Sequence, residues 1–274
     1  MQTRIALGTW AWGAGAFGGD AVFGSRADVE NLKPVFDAAM KAGLNLWDTA
    51  TVYGMGESEK ILGTFVAGEK RENVEVSTKF TPQLAEMFDN SVEKMADASI
   101  EHMGCGYIDI YWIHNPMDVE RWTPGLIPLL QSGRVKRVGV SNHNIKEIQR
   151  ANEILGEAGF KVSAVQNHFS LLYRSSEKGG VLDYCKENGI EFWAYMVLEQ
   201  GALSGHPHDA HHHHARPSAL WLRLSLRSPA GAYAESGKDE GLSLKRARPR
   251  TIQRDDIVEE CPLAVWAFGR KAIR

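Results

Sequence analysis

From Arg4 to about Gly205, short apolar runs alternate with stretches of helical period, the rhythm of repeated βα units around a parallel sheet. Seven runs read as strands: Ile5–Gly8, Leu44–Asp48, Val74–Lys79, Ile108–His114, Val135–Val140, Ala164–Asn167 and Glu191–Met196. Between them, Val29, Leu32, Val35, Phe36, Ala39 and Met40 line one helix face before Gly43 stops it. Val92, Met95, Ala96, Ser99, Ile100 and Met103 line a second face, entered from an Asp89-Asn90 cap and ended by Gly104. A third helix starts at Asn144, where Glu147 has capping-box spacing. Parallel strands joined by single helices cross over right-handedly, and so regular a run predicts a closed (β/α)8 TIM barrel of the α/β class. An open nucleotide-binding sheet would carry a Gly-rich phosphate turn at a helix start. Here Gly13-Ala14-Gly15-Ala16-Phe17-Gly18-Gly19 follows the first strand, but no strong helix opens on it and it lacks the Gly-Lys-Ser/Thr of a P-loop, so it reads as a flexible loop.

The pattern breaks after Gly205. Lys leads Arg 11 to 8 before that point, and Arg leads Lys 9 to 3 after it. Leu220-Trp221-Leu222-Arg223-Leu224 does not extend into an eighth βα unit, and Pro262–Ala267 reads as a faint seventh helix with no eighth strand after it. The expected organisation is therefore a barrel over residues 1–205 and an atypical segment over 206–274 in place of the last barrel elements, with an incomplete barrel as the risk. A changed reading frame or a truncation is one account of that segment. The run His211–His214 could bind a transition metal, but a low-complexity loop is the preferred reading, and no metal site is expected. Arg246, Arg248 and Arg250 match no phosphate motif.

Composition adds limits. With 43% hydrophobic and 24% charged residues and a mean hydropathy of −0.29, the chain can bury a large core. A net charge of −3 and a pI near 6.4 give no global reason to expect a nucleic-acid or membrane partner. The start carries no signal-like segment and no stretch reaches about 18 apolar residues, so a cytoplasmic location is expected. Cys105, Cys185 and Cys261 are widely spaced and read as reduced, non-catalytic thiols.

In an α/β barrel, catalytic groups stand where strands end at the C-terminal rim. Asp48, Lys79 and His114 each end a strand, and Tyr53 follows Asp48 in the loop Thr49–Gly54. Singly, each has an ordinary reading as a cap or a solvated charge. Together they form an acid–base set: Lys79 is expected to lower the Tyr53 phenol from its usual value near 10, Asp48 to fix the ammonium, and a neutral His114 to orient a carbonyl. No side chain supplies hydride, so carbonyl reduction by this set implies a nicotinamide cofactor.

At these residues the chain resembles the aldo-keto reductase family. Leu7-Gly8-Thr9-Trp10, Asp48-Thr49-Ala50 to Tyr53-Gly54, Ser77-Thr78-Lys79, Tyr107-Ile108-Asp109 to His114, Val138-Gly139-Val140-Ser141-Asn142, Gln166-Asn167 and Ala194-Tyr195 are similar to its motifs in order and spacing, over about Ile5 to Gly205. The resemblance implies reduction of a small aldehyde or ketone by NADPH, in preference to NADH, bound without a Rossmann fold. It places Ser141, Asn142 and Gln166 on the nicotinamide carboxamide and Tyr195 against the ring, and adds Gly8, Thr9, Trp10, Leu198 and Gln200 to the cofactor contacts. Trp10, Trp12 and Phe80 are weaker candidates for an apolar substrate wall. The basic loop expected to meet the 2′-phosphate is not found after Gly205. The competing reading is a non-catalytic or cofactor-deficient barrel, a binding module or an incomplete product.

Overall fold

A computed structural model describes residues 4–24, 27–204 and 263–267. The histidine run, the three tail arginines and Cys261 lie outside the described residues. In chain order the strands are β1 (Ile5–Gly8), β2 (Leu46–Asp48), β3 (Glu75–Phe80), β4 (Ile108–Ile113), β5 (Val135–Ser141), β6 (Ala164–His168), β7 (Glu191–Tyr195) and β8 (Leu263–Ala267). Each pairs in parallel with the next, and β8 pairs with β1, which closes a barrel in sequence order. The helices are α1 (Gly19–Phe23), α2 (Val29–Lys41), α3 (Glu57–Val66), α4 (Pro82–Met87), α5 (Val92–Met103), α6 (Val119–Trp122), α7 (Ile127–Gln131), α8 (Ile145–Gly156), α9 (Ser175–Lys178) and α10 (Val181–Asn188).

The expectation that no eighth strand exists is overturned at Leu263–Ala267. Five apolar residues fit a buried strand as well as a helical turn, and periodicity cannot separate the two. Pairing does: Val265 lies opposite both Ile5 and Ala194. Two local expectations also change. Helix α5 is capped by Ser91, whose extended backbone lets its hydroxyl accept from the Lys94 amide at 3.2 Å, while Asp89 and Asn90 belong to the preceding turn. Asn144, in contrast, caps α8 with the reciprocal Glu147 bond that the spacing predicts.

Strand alternation divides the core into two layers. Outward residues such as Val76, Phe80, Tyr111, Ile113, Val138 and Val165 pack beneath the helices. Inward, Ala6, Leu46, Ile110, Trp112, Ala164 and Trp193 fill the barrel, with the two indoles edge to face at 5.0 Å. Gly139 makes this possible, since a Cβ there would come within 2.3 Å of the Trp112 ring. The filled floor leaves polar inward side chains only near the strand ends.

The glycine-rich stretch after β1 is packed at both ends, with Ala14, Gly15 and Ala16 exposed between them. It opens the short helix α1, pairs Gly13 with Ala27, and buries Trp12 against Trp47 and Phe65. Gly18 and Gly19 approach the Trp10 and Gly13 carbonyls so closely that a Cβ would clash, at 3.0 and 2.0 Å.

Candidate active site

Asp48 ends β2 facing inward, and Lys79, two residues beyond Ser77, the register partner of Asp48, faces it across the strand pair. Both are buried, and they form a direct ion pair. Asp48 also accepts from the Ser77 hydroxyl, which in turn accepts from the Trp112 indole N–H at 2.7 Å. The Lys79 ammonium makes a second bond to the Thr49 carbonyl at 2.6 Å. Burial pushes the Asp48 carboxyl up and the Lys79 ammonium down, and each charge opposes the shift of the other.

Beyond Asp48 the chain stays stitched to β3. Thr49 N–H donates to the Ser77 carbonyl at 2.8 Å, and the Thr51 hydroxyl donates to the Lys79 carbonyl at 3.1 Å. This carries the chain to a turn over Tyr53–Gly56, in which Gly54, Met55 and Gly56 all have positive φ. The turn sets the Tyr53 ring over the Lys79 ammonium at 5.3 Å and edge-on to His114 at 5.9 Å. Trp10 stacks on Tyr53 at 6.0 Å, held by an indole bond to the Phe17 carbonyl. His114 follows β4, with its backbone N–H on the Phe80 carbonyl and Nδ1 3.2 Å from the Thr81 hydroxyl. Its burial, helped by the Lys79 charge, drops its pKa to about 3, so the ring is neutral.

One electrostatic expectation is reversed. Burial, with the Asp48 charge behind it, holds the Tyr53 phenol well above its usual value. The ammonium lies against the ring and spends its bonds on Asp48 and Thr49, so the phenol is the neutral, proton-bearing form.

On the other side of the rim, Ser141 and Gln166 point inward and are buried, and Asn142 stands in the left-handed region with φ 64°. Asn142 bridges the two sides: its amide donates to the His114 carbonyl at 2.9 Å, and its oxygen accepts from the Tyr195 hydroxyl at 2.6 Å. Tyr195 stacks on His168, which stacks on Tyr173 and bonds Glu199 through Nε2 at 2.9 Å. The Gln166 amide is near enough to support the Asp48 charge, yet its buried Nε2 lacks a hydrogen bond of ordinary geometry. A cavity of about 650 Å³ opens beside this group, lined by Asn142, Asn167, His168, Tyr173 and Tyr195 among others.

The structure thus brings together Asp48, Tyr53, Lys79 and His114, and beside them Trp10, Ser141, Asn142, Gln166 and Tyr195. Gly8 lies at the rim, opposite Asp48. Thr9 does not reach the site, because it is fully buried and bonds the Asp48 carbonyl and Ser58. Trp12 and Phe80 are core residues, the latter against Trp122. Leu198 is largely exposed, and Gln200 falls in the turn Glu199–Ser204 with its side chain outside the described residues. Ser77 and Trp112 were missed, although each stands two residues before a chosen residue and so faces the same way. Among the described residues no group of three His, Cys, Asp or Glu side chains could hold a metal ion, and no helix is long and apolar enough to cross a membrane.

A model of the aldo/keto reductase family matches residues 4–243. The chain belongs to this family. An uncharacterized oxidoreductase of Mycobacterium tuberculosis is 34% identical over 206 residues, covering 74% of this chain and 60% of that protein. The NADH-specific methylglyoxal reductase of Escherichia coli is 30% identical, covering 74% and 66%. Among solved structures, an aldo/keto reductase from Klebsiella pneumoniae in complex with NADP and acetate is similar with a TM-score of 0.60 and 26% identity, covering 74% of this chain and 67% of that one. The matching part spans about three fifths of the length of several curated family members. As in other α/β barrels, the polar rim stands on the C-terminal side of the strands.

Proposed function

We propose that this protein is an oxidoreductase that reduces a small aldehyde or ketone to the alcohol, using a nicotinamide cofactor. The observation that carries the reading is the buried Lys79–Asp48 pair beneath a neutral Tyr53, with a neutral His114 edge-on to it.

The residues present fit such a cofactor. Gln166 offers a buried amide N–H that makes no hydrogen bond of ordinary geometry, and the exposed Asn142 and half-buried Tyr195 line a cavity. When bound, the nicotinamide supplies the hydride; Ser141, Asn142 and Gln166 would hold its carboxamide and Tyr195 its ring.

Tyr53 delivers the proton to the carbonyl oxygen from its neutral hydroxyl. Lys79 stabilises the phenolate that this leaves, and Asp48 keeps the ammonium charged in a buried place. Thr81 donating to His114 Nδ1 would put the ring proton on Nε2, where it can bond a carbonyl oxygen and orient it. Trp10, stacked on Tyr53, forms the apolar wall that Trp12 and Phe80 do not.

NADPH is the proposed cofactor over NADH, with support from the Klebsiella NADP complex, whereas the E. coli relative is named for NADH. A cytoplasmic location is part of the reading, supported by the buried unpaired thiols of Cys105 and Cys185. Titrating the protein with NADPH and with NADH, and following quenching of its tryptophan fluorescence, tests the proposal. Saturable quenching, tighter with NADPH, is expected. No quenching by either nucleotide would sink the enzyme reading and leave a cofactor-deficient barrel.

A further inference from the structure

A second buried carboxylate stands just outside the barrel wall. Glu59, in the first turn of α3, is fully buried, and each of its oxygens has a partner: the Thr78 hydroxyl donates to Oε1 at 2.6 Å, and His102 Nδ1 lies 2.9 Å from Oε2. We propose that Glu59 is a positioning residue, which through Thr78 and His102 sets the Tyr53 turn against Lys79.

Three features support this. Thr78 is the outward residue between inward Ser77 and Lys79, so the carboxylate grips β3 at the point that carries the ion pair to Asp48. Glu59 also stands in the first turn of α3, three residues after Gly56, where the Tyr53 turn ends. The His102 ring fills the space beneath that turn, since a Cβ on Gly56 would lie 2.8 Å from its Cε1. Helix α5, which bears His102, packs directly on α3: Gly63 of α3 meets its backbone so closely that a Cβ would come 2.6 Å from the Met103 Cα. One carboxylate therefore ties together the strand of Lys79, the helix after Tyr53 and the ring under the turn. Its negative charge also favours the charged form of Lys79.

A misplacement of about 1 Å between reacting groups can cost on the order of a hundredfold in rate, so a buttress of this kind matters without touching substrate. The inference rests on the reading of Tyr53 as proton donor, and the test separates the two. Glu59→Gln keeps the shape and removes the charge; His102→Ala removes the ring; His102→Asn restores an N–H near the Nδ1 position. For each full-length variant, amide hydrogen exchange over residues 53–56 is compared with that of α8, and kcat is compared with KM and Kd for NADPH.

Glu59→Gln and His102→Ala should speed exchange in the turn and leave α8 unchanged. They should lower kcat by about ten- to a hundredfold at constant NADPH Kd, with His102→Asn recovering part of both effects. Unchanged exchange in the turn, exchange raised equally across the fold, or a faster turn with parental kcat would each overturn the proposal. If the parent protein turns over no carbonyl, the functional reading fails, and the exchange comparison alone decides whether Glu59 positions the turn.

Discussion

On the β1–β4 side of the rim the polar groups consume one another. Asp48 takes Lys79 and Ser77, Ser77 takes Trp112, and Lys79 closes on Thr49, all buried and linked by direct bonds. On the β5–β7 side, Gln166 keeps an N–H that makes no hydrogen bond of ordinary geometry, Asn142 stands exposed in a left-handed conformation, and Tyr195 faces a cavity. One side is a closed electrostatic unit, set before anything binds, and such preorganisation suits charge that develops during a reaction. The other keeps unused bonding capacity, which suits holding a ligand. Asn142 joins them, taking the His114 carbonyl on one side and the Tyr195 hydroxyl on the other.

The largest effect expected is at the closed unit. Lys79→Met leaves the Asp48 carboxylate buried without its cation, which should cost about 3–5 kcal/mol of stability and abolish turnover. Adding Asp48→Leu to it should recover most of the stability and none of the activity. Urea unfolding of the two variants checks this, and a Lys79→Met protein as stable as the parent would break the picture of a closed unit. Next comes Tyr53→Phe, which removes the hydroxyl that the structure holds neutral. Turnover should fall by about 10²–10⁴-fold with NADPH Kd and unfolding midpoint unchanged. Steady-state kinetics with fluorescence titration separates this from a binding defect, and parental turnover would remove Tyr53 from its role.

The closed side was legible in the sequence because its members end consecutive strands, and a period of two places them on one face. What stayed hidden depended on pairing between distant segments. Leu263–Ala267 reads as strand only when set between Phe192–Ala194 and Ile5–Leu7. Thr9 looked like a rim residue, but its hydroxyl is taken by Asp48 and Ser58, the latter 49 residues away. The direction of the Tyr53 shift was misjudged because burial outweighs a cation whose bonds are spent elsewhere, and burial is a property of the whole fold. Glu59 carried no signal of its own, since a Glu in the first turn of a helix is ordinarily a solvated residue beside the helix dipole.

The open side gives a smaller effect of opposite sign in its two readouts. Gln166→Leu removes a buried amide N–H that makes no hydrogen bond of ordinary geometry and gives the Asp48 charge less support than Lys79 or Ser77 does, so the cofactor-free protein should gain up to about 1 kcal/mol. NADPH should bind about tenfold more weakly, because a hydrogen bond is lost and an apolar group faces the carboxamide. Thermal unfolding with and without NADPH reads both at once. A loss of stability without cofactor would show that Gln166 already serves the fold, and the distinction between the two sides would narrow.

The smallest effect near neutral pH, growing only on acidification, is a pH dependence that both sides share. Burial lowers His114, on the closed side, to about 3 and His143, behind the open side, to about 4. The unfolded chain takes up these protons near pH 6.5, the ordinary histidine value, and the folded chain resists them. Stability contributed by the neutral rings is therefore complete above about pH 6.5 and is lost as the pH falls, down to about 4 for His143 and about 3 for His114. Within the window each ring adds a slope of at most about 1.4 kcal/mol per pH unit. His143→Asn preserves a donor toward the Ser141 carbonyl, which Nδ1 meets at 2.7 Å, and His114→Asn preserves a partner for Thr81. Each should flatten the fall in unfolding free energy between pH 6.5 and 4.5 by its own share, with the double variant losing both. If NADPH steepens the His143 share and leaves that of His114 alone, the bound cofactor presses on the open side only, and the division of labour across the rim holds; equal steepening of both would place it against the closed side as well.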